Sequence, residues 1–171
     1  PENLESSKLP ELSDFGFDEH EPADERSVMK FYGGETEALK RMQDYFWETN
    51  AIQNYKQTRN GLLGSDYSSK FSAWIALGSL SPREVYWEIK KYDQVHGSGD
   101  SSYSLYLELL WRDYFRFMFK KYGNKFFQKI GFKGVAPEES ENQQELFELW
   151  KNAETGIPFI DANMKELNVT G

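Results

Sequence analysis

Wherever the apolar positions of this chain are periodic, they fall at helical spacing. Leu39, Met42, Phe46 and Trp47 stand at i, i+3, i+7 and i+8, which predicts an amphipathic helix over about 34–50. A short helix over about 51–58 follows, turning Ile52 and Tyr55 inward. Residues 60–66 hold Gly61 and Gly64 and no period, and read as a loop. Ser68 and Ser69 then lead into Phe71, Trp74, Ile75 and Leu77, a helix stopped by Gly78. Ser81-Pro82-Arg83-Glu84 has the form of a helix start, with a hydroxyl cap, proline at the first position and a glutamate closing a capping box. Val85, Tyr86, Ile89 and Tyr92 form the inner stripe of that helix, which ends near His96-Gly97.

The stretch 102–122, capped by Gly123, carries rings and leucines on nearly every side. A helix apolar all round is expected to lie buried inside a larger body. Two more helices are predicted over about 143–154 and 158–168. Nothing alternates with period two and nothing repeats, so the fold class is all-α: a multi-helical domain. Residues 1–27 mix Pro10, Pro22, Gly16 and many acids, and read as an acidic linker or surface wrap that Leu9, Leu12, Phe15 and Phe17 can pin. The chain starts at Pro1 without Met and stops at Gly171 directly after a helical pattern, which predicts a piece of a larger protein.

Composition narrows the classes. Among 171 residues there are 5 Trp, 10 Tyr and 13 Phe, too many large rings for a disordered chain. The absence of cysteine removes disulfide scaffolds, thiol catalysis and zinc fingers. No apolar run is long enough to span a bilayer and no signal-peptide pattern opens the chain. An intracellular, cytoplasmic setting is the default expectation, or an organelle or the nucleus in a eukaryote. The net charge of −8 is unevenly spread. Residues 1–26 hold nine acids and two bases, and 135–148 hold five Glu and no base, whereas 27–134 hold 16 bases against 11 acids. The aromatic middle is therefore basic, and a polyanion partner stays open.

Two constellations carry candidate chemistry. Glu108, Arg112 and Arg116 stand at i, i+4 and i+8 on the greasy helix. They make either intrahelical ion pairs on a solvated strip or a polar line into a cavity floored by neighbouring Trp111. Tyr67 to Ser72 present three serine hydroxyls, one ammonium and free backbone N–H groups at a helix start. These serve either as an ordinary N-cap or as an anion site suited to paired phosphates. His20 and His96 stand alone at no metal-ligand spacing and read as surface residues, and no metal site is expected. Asp161 and Glu166, at i and i+5, do not form a catalytic carboxylate pair. Arg59 reads as a surface arginine or a phosphate contact.

In order along the chain, NGLLGSDYSSKFSAW (60–74), LGSLSPREVY (77–86), ELLWRDYFRF (108–117) and TGIPFIDANMKEL (155–167) resemble the photolyase/cryptochrome flavoproteins, DASH cryptochromes above all. The resemblance spans about 30–171. It implies that 28–171 is the N-terminal part of a helical FAD-binding domain, without the antenna domain that would hold a second chromophore and without the C-terminal half that closes over the flavin. It implies a flavin pocket of Tyr55, Ser68, Ser69, Lys70, Phe71, Ser72, Leu105, Glu108 and Arg112. It implies a DNA side of Arg59, Glu108, Leu109, Trp111, Arg112 and Phe115. Within these, Glu108 is implied to hydrogen-bond the damaged bases and Trp111 to pack against a flipped pyrimidine dimer. The GIPFIDANM stretch is implied to shape the pocket from a core helix.

The activity implied is light-driven splitting of cyclobutane pyrimidine dimers, preferentially in single-stranded DNA, in a deoxyribodipyrimidine photolyase-type lyase. A non-repair blue-light receptor acting through a protein partner is the alternative, and a cofactor-free helical binding module a third class. The isolated piece is expected to be inactive and to need the remainder of its own chain over its greasy helix. Ser140 stands where the family's outer electron-chain tryptophan aligns, and Ala73, Ser79 and Ser104 replace a frequent proline, cysteine and tryptophan.

Overall fold

The computed structural model describes residues 8–17 and 24–170. Those residues form helices and turns without a strand. The principal helices are α1 (Glu35–Gln43), α2 (Tyr55–Thr58), α3 (Ser72–Ala76), α4 (Pro82–His96), α5 (Asp100–Tyr122), α6 (Gln143–Lys151) and α7 (Pro158–Thr170). A wide π turn, Asp44–Glu48, extends α1, and a 3-10 turn, Ala51–Asn54, leads into α2.

Local chemistry explains the boundaries. The Ser81 hydroxyl accepts from the Arg83 N–H at 3.2 Å, and the Ser81 N–H donates to Glu84 at 3.1 Å, with Pro82 at the first helical position. That is the start read from the sequence. Gly123 closes α5 at φ 56°, a backbone conformation that costs glycine nothing. Asn50, at φ 52°, separates the π turn from the next element.

The core is one cluster in the first two-thirds of the chain. Ala38, Met42, Tyr45 and Phe46 meet Ile52, Phe71, Trp74, Leu80, Val85, Ile89, Tyr92 and Leu105. Phe46 stacks parallel to Phe71 at 6.3 Å, and Tyr92 meets Phe46 edge-on at 6.0 Å. Two details depart from the pattern. Leu39 lies at the exposed edge of α1, and the buried line is Ala38, Arg41, Met42, Tyr45 and Phe46, because the π turn brings Tyr45 and Phe46 inside together. Leu9, Leu12, Phe15 and Phe17 are exposed. The entering segment is held by Met29 against the core, Phe31 on Trp74 at 5.3 Å, and the Tyr32 carbonyl, which accepts from the Trp74 indole at 2.8 Å. The rest of the predicted wrap, residues 1–7 and 18–23 with His20, lies outside the described residues.

The greasy helix is buried only at its start, through Ser101, Ser102 and Leu105. Leu110, Trp111, Tyr114, Phe115, Phe117 and Phe119 are exposed, the uncovered faces expected of the greasy helix in this piece of chain. Helices α6 and α7 pack on each other, with Met164 buried between them and the ring of Phe147 5.7 Å from Trp150. Asp161 ties their joint. Its carboxylate accepts from the Thr155 hydroxyl at 2.6 Å, the Thr155 N–H at 2.8 Å and the Gly156 N–H at 3.0 Å. No described helix is long and apolar enough to cross a membrane.

Candidate functional site

The two constellations read from the sequence face one cleft. It has a volume of about 520 Å³ and is lined by Tyr55, Ser68, Ser69, Lys70, Phe71, Ser72, Ile75 and Ala76 on one side. Leu105, Glu108, Leu109 and Arg112, on one face of α5, line the other. Core packing sets the floor: Tyr55 and Phe71 are both buried, and Phe71 touches Tyr45 edge-on at 5.8 Å.

The serine segment is a loop and not the start of a helix. Helix α3 begins at Ser72, its cap residue is Phe71, and no side chain caps it. The hydroxyls of Ser68 and Ser69 are thus not N-caps, and five residues of helix add little dipole. What the loop offers is its own backbone. The N–H groups of Ser68, Ser69 and Lys70 donate to no atom among the described residues. Lys70 adopts φ 61°, left-handed for a side-chain-bearing residue at a cost of about 1–2 kcal/mol. Consecutive peptide N–H groups that end in a left-handed residue form a concave anion receptor. The Lys70 ammonium lies 3.6 Å from the Tyr67 ring centre, which places a cation at the same lip.

On the opposite wall, Glu108 turns to Arg59 on the neighbouring segment and forms an ion pair and hydrogen bond with it. The intrahelical pairs open on spacing do not form. Arg112 and Arg116 both approach Asp113 instead, at 3.4 and 3.7 Å. The Tyr55 hydroxyl is pushed above its ordinary pKa, chiefly by burial and then by the Glu108 carboxylate, while the Arg59 guanidinium pulls the other way. Arg59 is itself raised, first by its hydrogen bond to Glu108. Tyr55 therefore stays a neutral donor in the cleft at physiological pH.

Trp111 does not floor this cleft. It is 53% exposed on the adjacent face of α5, stacked on Phe115 at 6.0 Å and edge-on to Tyr114 at 5.5 Å. Leu109, implied on the DNA side, is half-buried against the core. Arg112 is shared between this cleft and a second, larger hollow of about 1100 Å³ that Phe115 also lines. Arg83, Arg112, Arg116 and Lys120 make that hollow basic, with Asp113 its one acid. Helix α7, with the GIPFIDANM stretch, lines neither space.

Sequence reasoning missed Arg41, Thr58 and Asp66. Arg41 is 8% exposed and donates to the carbonyls of Ser65 at 2.9 Å, Ser68 at 3.4 Å and Ser69 at 3.2 Å. It also pairs with Asp44 at 2.8 Å and Asp66 at 3.0 Å. Thr58 donates to the Tyr67 carbonyl at 2.8 Å. The available signal was position: Arg41 falls three residues after Ala38 and four before Tyr45, on the line that faces the core.

Residues 105–171 match the family described as the FAD binding domain of DNA photolyase. A protein of Synechocystis sp. named Cryptochrome DASH is 55% identical over 148 residues, which cover 86% of this chain and 30% of that protein. A Danio rerio protein of the same name is 47% identical across 100% of this chain and 32% of its own length. Among solved structures, a Synechocystis sp. cryptochrome superposes with a TM-score of 0.85 at 51% identity, covering 99% of this chain and 34% of the other. The chain thus spans about a third of the length of the relatives it matches. A helical scaffold superposing so closely, with the serine loop and α5 closing one cleft, shows that the chain belongs to the photolyase/cryptochrome flavoproteins, as part of their FAD-binding domain.

Proposed function

We propose that residues 28–171 are the N-terminal part of the helical flavin domain in a light-driven DNA-repair protein, and that the 68–72 loop holds the diphosphate of FAD. The observation that carries this reading is the run of N–H groups at Ser68, Ser69 and Lys70 without a partner among the described residues, on a loop lining a cleft whose far wall bears Glu108 and Arg112. A diphosphate fits that donor set: it supplies adjacent anionic oxygens to adjacent N–H groups, hydroxyls and an ammonium. When bound, FAD supplies light-driven electron transfer to a pyrimidine dimer. The residues of this chain supply placement and electrostatics.

Tyr55, Phe71 and Leu105 exclude water from the cleft floor. Glu108 accepts hydrogen bonds from the damaged bases, and Arg59, paired to it, leaves donors for a DNA phosphate. Trp111 and Phe115 give a stacking platform beside the cleft, and the basic hollow gives the backbone a cationic track. Single-stranded DNA is the favoured substrate, because extruding a dimer costs least where no duplex must open. A blue-light receptor without repair is the second reading, favoured by the cryptochrome names of the relatives.

One experiment separates the two. The complete flavoprotein, reduced and illuminated with a dimer-bearing oligonucleotide, is expected to restore the pyrimidines, faster on single strands than on duplex. No dimer loss under reducing light would leave the receptor reading.

A further inference from the structure

The unpartnered N–H groups of the loop need a cause, because a free loop turns its polar backbone at random to water. Four carbonyls of the loop are held from behind: Ser65, Ser68 and Ser69 by Arg41, and Tyr67 by Thr58. A trans peptide is planar, with its C=O and the next N–H pointing in opposite directions. Holding the carbonyls of Tyr67, Ser68 and Ser69 on one side therefore turns the N–H groups of Ser68, Ser69 and Lys70 to the other. Like the N–H groups of residues 62–67, these three find no partner among the described residues, and Ser68, Ser69 and Lys70 are the part of the loop that lines the cleft.

The guanidinium is buried at this point of α1, over the Tyr45 ring at 5.2 Å. Its charge is balanced by Asp44 and Asp66, both more exposed than itself, so the arginine is sunk under the loop and its carboxylates ride at the edge. Arginine is suited to the post because its planar fork serves several acceptors at fixed angles, whereas a lysine ammonium is a single point.

We propose that Arg41 is a positioning residue for the anion cradle: from behind the 65–69 loop it fixes the direction of the peptide N–H groups that grip the cofactor's diphosphate. It makes no contact with the ligand. The proposal rests on the reading of the cleft as a diphosphate site, and its test keeps the two apart by comparing FAD with riboflavin, which has the same ring system and no phosphate.

The apoprotein of the complete flavoprotein is titrated with each ligand by flavin fluorescence, for the wild type, Arg41→Met and Arg41→Lys. The wild type is expected to prefer FAD. Arg41→Met is expected to weaken FAD binding about tenfold, the equivalent of one charge-assisted hydrogen bond, with riboflavin changed by less than about twofold. Arg41→Lys is expected to fall between them. An FAD preference retained in full by Arg41→Met would overturn the role of Arg41 and leave the cradle standing. A wild type without that preference would overturn the cradle, and the proposal with it. If Arg41→Met loses both ligands through misfolding, Thr58→Val decides. It removes one carbonyl-holding hydroxyl at nearly constant shape and must lower the FAD-to-riboflavin preference, and an unchanged preference there overturns the proposal.

Discussion

Glu108→Gln separates a structural carboxylate from a working one. The Glu108 and Arg59 side chains are 42% and 38% exposed, so water and salt screen their pairing. Exposed pairs of this kind contribute about 0–1 kcal/mol, and replacement by an isosteric amide keeps one acceptor oxygen for Arg59. Unfolding by urea, with Arg59→Gln and the double variant completing a cycle, should return a loss below about 1 kcal/mol for Glu108→Gln and a coupling of similar size. On the proposed reading, the same substitution in the complete flavoprotein removes a charged acceptor for the damaged bases, and a hydrogen bond to an ionised group contributes about 1.5–3 kcal/mol. Binding of a dimer-bearing single strand, by fluorescence anisotropy at fixed salt, should therefore weaken by about tenfold or more while flavin content is unchanged. A stability loss above about 2 kcal/mol with unaltered lesion binding would refute the reasoning, since the carboxylate would then hold α5 to Arg59 and nothing more.

Three other substitutions probe separate parts of the account. Trp111→Ala should cost about 1–3 kcal/mol of lesion binding, the contribution of one stacked base, and leave flavin absorbance intact because the indole does not line the cleft; emptied flavin would show that the ring is misplaced. Lys70→Glu puts an anion at the lip of the proposed diphosphate site and should release FAD, read as loss of bound flavin after gel filtration. Gly61→Ala places a methyl group 3.0 Å from the Thr58 carbonyl and 3.1 Å from the Tyr67 side chain, so the loop must shift, at about 1–3 kcal/mol of stability by thermal unfolding. At the α6–α7 joint, hydrogen bonds from the Thr155 hydroxyl first, and then from the Thr155 and Gly156 N–H groups, hold the Asp161 carboxyl below its ordinary pKa. Its contribution to folding is therefore fully present above the ordinary aspartate range and is lost as pH falls through the lowered value. The Thr155 amide resonance should follow that titration and lose its acid dependence in Asp161→Asn.

Local chemistry was the most legible part of the sequence. The Ser81-Pro82-Glu84 start, the Gly123 stop and the core stripe of α4 each depend on residues a few positions apart. The start and the stop stand where the pattern put them, and of the stripe Val85, Ile89 and Tyr92 are buried while Tyr86 is only half-buried. The cleft was legible through ordered motifs, because residues of 55–72 and 105–112 face one another across it. The loop conformation was not legible. Ser68 reads as a helix cap until Arg41, 27 residues earlier, draws its carbonyl inward and delays the helix to Ser72. The place of Trp111 follows from helix geometry: it stands about 60° from Glu108 and about 100° from Arg112 around α5, so the indole flanks their line and does not floor the cleft. Periodicity also cannot say what covers a helix, and most of the rings of α5 beyond Leu105 stand exposed here.

A crystal structure of the FAD-loaded flavoprotein tests the central claim most directly. Diphosphate oxygens within roughly 2.7–3.2 Å of the Ser68, Ser69 and Lys70 N–H groups, with the isoalloxazine ring toward Glu108 and Arg112, are the predicted result. A diphosphate seated elsewhere, with those three N–H groups facing water, would contradict it.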